Sequence, residues 1–139
     1  MLPAGGVVFG VMCSFVGQKC VTLWAKSKSA VLKGQIDDIL IRNKKYRDPR
    51  FSAGKLAEML GVSGWTLSRI VRKEYGMRYA ELVHGCRIKE AMRHLRDKRF
   101  AAYSVDDIGA MVGFGNRQSF FSAFKQIAGM TPEKYRMMV

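Results

Sequence analysis

Cysteine and histidine, the side chains that most often bind metals or act as nucleophiles, are few in this sequence and poorly spaced for either task. Cys13, Cys20 and Cys86 fit neither a disulfide framework nor a metal pattern, so a reducing, cytoplasmic setting suits them best. His84 and His94 are too far apart to share a helix face as a ligand pair would. No phosphate loop or nucleophile elbow occurs. We therefore expect no enzymatic activity, metal or cofactor.

The functional groups that this sequence has in excess are the positively charged side chains of lysine and arginine. Lysine and arginine number 24 against 11 acidic residues, which gives a net charge of +13 and a pI near 10.1. Such a field favours polyanions, either nucleic acid or an anionic membrane surface. The alternative is a soluble protein that is merely basic. At 139 residues and 48% hydrophobic composition, the chain is long enough for one domain with a buried core.

The basic side chains must be carried by helices, because sequence patterns typical of helices occur throughout the body of the chain. The pattern predicts an all-α fold, because apolar residues recur at helical spacing between polar caps and glycine stops. A longer helix is predicted from Tyr79 to Leu95. The predicted N-caps are Ser52, Ser63, Ser104, Asn116 and Thr131. The predicted stops are Gly61, Gly76, Gly113 and Gly129.

One arrangement of helix, glycine turn, helix and glycine stop occurs twice. Residues 56–77 and 108–130 match with an offset of 52 before the turn and 53 after it, so that Leu67 matches Phe120. Two helices joined by a short glycine-containing turn form a helix-turn-helix. In a basic chain, two such units indicate two readers of the DNA major groove. The alternative is two plain helical hairpins that serve packing only.

The long helix sets the distance between the two units. Seventeen residues from Tyr79 to Leu95 span about 25 Å at 1.5 Å per residue. Recognition helices at its two ends could lie roughly 34 Å apart, one turn of B-DNA. We therefore expect one monomer to read two successive major grooves.

From residue 32 to residue 136 the sequence resembles the DNA-binding domain of AraC/XylS-type transcription regulators. The C-terminal signature comprises Ile108-Gly109, Val112-Gly113-Phe114, Phe120-Phe121, Phe124-Lys125, Gly129-Met130-Thr131-Pro132 and Tyr135-Arg136. The upstream part comprises Leu56-Ala57, Leu60-Gly61-Val62-Ser63, Leu67-Ser68-Arg69, Gly76-Met77 and Arg87-Ile88. The resemblance implies a bacterial seven-helix domain with two helix-turn-helix units and a role in transcription, activation being the commoner behaviour in the family.

The resemblance also implies which side chains face DNA. The implied base contacts are Trp65, Ser68, Arg69, Arg117, Gln118, Ser119, Phe121 and Ser122. The implied phosphate contacts are Arg72, Lys73 and Lys125. Arginine can bind guanine with two hydrogen bonds, glutamine can bind adenine likewise, and an aromatic edge can meet a thymine methyl. Trp65 could instead lie in the core and Phe121 could pack on Phe120, whereas Arg117 has no evident packing role.

The expected partners are double-stranded DNA and RNA polymerase, in the cytoplasm at the nucleoid. Because many family members carry a separate effector domain that thirty residues cannot hold, we expect no small-molecule site in this chain. Gly64 and Gly109 replace larger residues of the family pattern, and we expect each to loosen its unit slightly. An architectural nucleic-acid binder and a helical protein-interaction module remain alternatives to a sequence-specific regulator.

Residues 1–30 are expected to form an apolar appendage to a DNA-binding domain at residues 31–139. Residues 2–18 carry no charge, a length at the lower limit for spanning a bilayer. Gly6, Gly10 and Ser14 have the spacing of membrane helix pairs. A membrane helix that tethers the chain to the inner membrane, an interfacial or signal-like segment, and a loose extension all remain open. In the first case residues 2–24 would mediate membrane association or self-pairing.

Overall fold

The computed structural model describes the backbone of residues 18–139 and the side chains of residues 28–139. Over that range the chain is helical with no β-strand, which confirms the predicted all-α fold. The seven α-helices are α1 (Gln18–Asp37), α2 (Ala53–Leu60), α3 (Gly64–Tyr75), α4 (Tyr79–Arg96), α5 (Val105–Met111), α6 (Arg117–Ala128) and α7 (Pro132–Met138). A π-helical turn at Asp38–Arg42 continues α1, and short 3₁₀ turns lie at Lys45–Arg47 and Lys98–Phe100.

The helix boundaries follow the predicted local signals. Five helices begin after a residue whose side chain accepts a hydrogen bond from the backbone N–H three positions later. These residues are Ser52, Ser63, Ser104, Asn116 and Thr131. Gly61, Gly76 and Gly129 end α2, α3 and α6 with φ between 67° and 78°, where a side chain would be strained.

Two apolar clusters form the core, and α4 contributes to both. In the first cluster, Val83 of α4 packs with buried residues of α1, α2 and α3. In the second, Ile88, Ala91 and Leu95 pack with buried residues of α5 and α6. The two helix-turn-helix units, α2–α3 and α5–α6, are therefore mounted on opposite halves of one helix.

A polar junction on α4 holds the units together. Glu90, only 3% exposed, accepts hydrogen bonds from Lys44 (3.1 Å) and Arg47 (2.9 Å). Arg87 donates to the carbonyl oxygen of Tyr46 at 2.7 Å. Gly113, with φ +112°, lies so close that a Cβ there would come within 2.2 Å of the same oxygen. The segment before α2 therefore contacts the turn of the second unit directly.

Glu90 makes stability depend on acid. Burial alone would raise its pKa, but hydrogen bonds from Arg47 and Lys44 outweigh it and hold the pKa at about 2, against an ordinary 4.5. A depressed carboxylate pKa stabilises the fold above 4.5, and the effect is lost as the pH falls towards 2. We expect Glu90→Gln to lower the free energy of unfolding by about 1–2 kcal/mol at pH 7. Denaturation at pH 7 and pH 3 should show this difference shrinking in acid, and a constant difference would contradict the assignment.

Gly109 tightens the second unit rather than loosening it. A Cβ on Gly109 would lie 2.6 Å from Cδ2 of Phe120 and 2.8 Å from its Cγ, so the glycine provides the space that the ring fills. Gly64, in contrast, has open space where its Cβ would stand.

Alanine at two helical glycines should have opposite effects. Gly85, within α4, has no atom within 4 Å of an added Cβ, so Gly85→Ala should stabilise the protein by about 1 kcal/mol through helix propensity. Gly109→Ala should instead destabilise it by about 1–2 kcal/mol, because overpacking against Phe120 outweighs that gain. Urea denaturation of both variants compares them. Equal stabilisation would show that Phe120 moves aside freely.

Helix α1 crosses the predicted boundary between residues 30 and 31 without a break. Ser29 is buried and its hydroxyl donates to Glu74 of α3 at 2.5 Å, so the helix packs on the first unit from at least this point. Within residues 18–139 no helix combines the length and apolar character needed to cross a bilayer. The predicted membrane or pairing segment falls mainly on residues 1–17, which lie outside the described part of the chain.

Candidate nucleic-acid interface

In the first unit, one face of α3 is exposed and carries the predicted contacts. Trp65, Ser68 and Arg69 fall at positions i, i+3 and i+4, and all three are exposed. Trp65 is 69% exposed, which excludes a core position. The Arg69 guanidinium lies over its ring, 4.7 Å from the centroid. An indole and a guanidinium thus form a stacked pair beside the polar Ser68.

In the second unit, the matching face of α6 is also exposed. Gln118, Ser119 and Ser122 are exposed there, while Phe120 and Phe124 point into the core. Phe121 is half-buried, and its ring meets that of Phe120 edge-on with centroids 5.8 Å apart. It packs on the core while leaving part of its surface available.

Arg117, the first residue of α6, has several partners. Its guanidinium forms ion pairs with Asp106 of α5 and, at 3.0 Å, with Glu133 of α7. It also lies 4.0 Å from the centroid of Phe121. The expectation that Arg117 has no packing role is therefore wrong. One sequence signal could have indicated an ion pair for Arg117. Capping of α5 needs only one carboxylate of the Asp106-Asp107 pair, so the other is available to bind a cation.

The predicted phosphate contacts lie further along the same helices. Arg72 and Lys73 stand near the end of α3 and Lys125 occupies the matching part of α6, all exposed. Among residues 28–139, no carboxylate forms an ion pair with these three or with Arg69. Their charges are thus available to a polyanion, whereas that of Arg117 is neutralised within the protein.

An open groove of about 880 Å³ runs between α1 and α3. Its walls include Trp65, Arg69, Arg72 and Lys73, so it is continuous with the exposed face of α3. A smaller hollow of about 90 Å³ lies between α5 and the start of α6, well below the roughly 300 Å³ at which ligand pockets begin. The absence of a small-molecule site stays a prediction.

Both histidines have packing roles. His84 lies 5.5 Å from the ring of Phe114, and His94 lies 4.0 Å from that of Phe100, between centroids. Burial lowers the pKa of each imidazole, so both are neutral near pH 7. In the described part of the chain, no three His, Cys, Asp or Glu side chains are grouped as a metal site requires.

Comparison with known proteins agrees with this arrangement. A family model described as a helix-turn-helix domain matches residues 56–138, more than half of the chain. The transcriptional activator AarP of Providencia stuartii is 32% identical over 102 residues, which cover 73% of each chain. The probable transcription factor PqrA of Proteus vulgaris is 31% identical over 103 residues, 73% of this chain and 82% of PqrA.

A solved structure shares the fold. The C-terminal domain of the two-component response regulator yesN from Fusobacterium nucleatum superposes with a TM-score of 0.67 at 27% identity, covering 75% of this chain and 96% of that domain. On the family match, the relatives and this fold, the chain belongs to the AraC-type family of helix-turn-helix transcription regulators, which bind DNA.

Proposed function

We propose that one copy of this chain binds a single asymmetric DNA site of roughly 20 base pairs in a sequence-specific way, with α3 and α6 in successive major grooves. The observation that carries the proposal is the repeated exposed face. Each unit presents polar and aromatic side chains from the first half of its second helix, on a scaffold where the equivalent apolar residues are buried. The 18 residues of α4 span about 27 Å, close to the separation that adjacent grooves require.

In this proposal the two faces read different bases. Arg69 and Arg117 bind guanine, Gln118 binds adenine, and the rings of Trp65 and Phe121 meet thymine methyl groups. Hydrogen bonds from serine to base edges or sugars add to these. The serines concerned are Ser68, Ser119 and Ser122.

Phosphate contacts position the two helices in the grooves without reading sequence. Arg72 and Lys73 act for α3, and Lys125 acts for α6. Their exposure supports this role, as does the absence of an acidic partner for any of the three among residues 28–139.

Selection from randomised duplexes at fixed salt tests the specificity. We expect one asymmetric motif with two conserved blocks to be enriched. Uniform binding of all duplexes would favour an architectural role, and no binding at low salt would favour a protein-interaction module. The salt concentration must be stated, because the phosphate contribution changes steeply with it.

We further propose that the chain activates transcription and contacts RNA polymerase. The support is the similarity to AarP, whose name describes an activator. Transcription in vitro from a promoter carrying the selected motif should rise when the protein is added. A fall in transcript would assign repression instead.

A further inference from the structure

We propose that Asp106 and Glu133 are specificity-determining residues, which keep Arg117 from binding DNA that lacks its target base. The inference rests on the proposed function and concerns the second reading unit. It assigns a role in recognition to two acidic side chains that are about half exposed and do not cap a helix.

The geometry joins the first turns of three helices. Arg117 begins α6, Asp106 lies in the first turn of α5, and Glu133 lies in the first turn of α7. Both carboxylates bind the same guanidinium, which also rests over the Phe121 ring at 4.0 Å. Three contacts from three helices fix where the guanidinium stands at the start of the reading helix.

Neither acid is needed to begin its own helix. In α5, Asp107 closes the capping box, accepting from the backbone N–H of Ser104 at 3.0 Å. In α7, the Thr131 side chain caps the first turn. Asp106 and Glu133 are thus left to bind Arg117. They interact favourably with their helix dipoles as well, but that interaction does not require an arginine partner.

The first unit has no such arrangement. Arg69 rests over Trp65 and forms no ion pair with a carboxylate in the described part of the chain. The two units therefore present an arginine in different electrostatic states. One is a free cation, and the other belongs to a group of one cation and two anions with a net charge of −1.

This difference changes how the units respond to DNA. On a non-matching sequence Arg117 keeps its carboxylates, and the excess negative charge repels nearby phosphates. On a matching guanine, N7 and O6 accept two hydrogen bonds from N–H groups of Arg117 that the ion pairs leave unused, because a guanidinium has five N–H donors and Asp106 and Glu133 each bind one. The ion pairs therefore stay intact on the target, whereas a phosphate contact on random DNA requires Arg117 to leave them. Asp106 and Glu133 therefore weaken binding to random DNA more than binding to the target, and specificity is the ratio of the two affinities.

The test measures affinity of the full chain for the selected duplex and for a random duplex over a range of salt. Asp106→Asn, Glu133→Gln and the double variant keep side-chain shape and remove charge. We expect the double variant to bind random DNA about 3- to 10-fold more tightly, with the specific-to-random ratio reduced by a similar factor. Its salt slope on random DNA should steepen by about one, because Arg117 now reaches a phosphate.

Asp38→Asn is the control for the loss of one negative charge, as in each single variant. It removes one exposed acid that pairs with Arg42 at 3.2 Å on the π-helical turn, outside the second reading unit. It should leave the ratio within about twofold of wild type, the size expected of an isolated surface pair. Thermal unfolding checks that every variant remains folded, and a stability change without a change in ratio would assign the acids a merely structural role.

The background Arg117→Ala decides whether the acids act through the arginine. There, removing both acids should no longer strengthen random binding as it does beside Arg117. An equal gain in both backgrounds, or an unchanged ratio in the double variant, would overturn the inference. If the wild-type protein selects no motif, the proposed function fails instead. The affinities for the random duplex still test whether Asp106 and Glu133 keep Arg117 from phosphates.

Discussion

Arg117→Ala should lower affinity for the selected duplex by about 10- to 100-fold, equivalent to about 1–3 kcal/mol, which is the value of one bidentate contact between arginine and guanine. Affinity for random DNA should stay within about twofold, because on such DNA the guanidinium remains bound to Asp106 and Glu133. Selection with the variant should return a motif that is relaxed in one block and unchanged in the other. Equal losses on selected and random duplexes would contradict the assigned role.

Lys125→Ala supplies the comparison within the same helix. Lys125 is exposed on α6 and matches Arg72 of α3 in the repeated pattern. If it contacts a phosphate, its loss should weaken all sequences alike and flatten the salt slope by about one. A change confined to one sequence would show that Lys125 reaches a base.

Phe124→Ala should have the largest effect on stability, lowering the free energy of unfolding by about 3–5 kcal/mol. The side chain is fully buried. Its ring packs edge-on against Phe120 and Tyr135, with centroids 5.8 and 5.6 Å away, so its removal opens a cavity between α6 and α7. Urea denaturation of the full chain measures the loss.

Phe121→Ala is the control three positions earlier in the helix. Phe121 is half-buried and supports Arg117, so its removal should cost only about 1 kcal/mol of stability while weakening binding to the selected duplex. Equal losses of stability in Phe121→Ala and Phe124→Ala would contradict the division of α6 into a buried face and a reading face.

The elements predicted from sequence were those set by local signals. Ser63 caps α3 and Gly76 ends it, because a cap acts through the backbone three residues away and a glycine stop needs only its own φ. The apolar period places Leu67 and Val71 in the core, because burial of a helix face depends on spacing alone. Because the same pattern occurs twice, the sequence also predicted the second helix-turn-helix unit.

The contacts that sequence could not predict join distant residues. Arg117 meets Asp106 eleven positions before it and Glu133 sixteen after it, and no local pattern links three separate helices. Glu90 binds Arg47 across 43 positions. The sequence predicted that Gly109 loosens its unit, whereas in the structure the Phe120 ring fills the space beside it. Each depends on how helices pack, which composition and spacing do not determine.

Hydroxyl-radical footprinting on the selected duplex is the test of two-groove reading by one chain. The measurement is made on complexes that sedimentation shows to contain one protein molecule per duplex. We expect two protected tracts on one face of the duplex, about one helical turn apart and within roughly 20 base pairs, and Arg117→Ala should weaken only one of them. A single short tract, or two tracts that appear only when two copies are bound, would contradict two-groove reading by one chain.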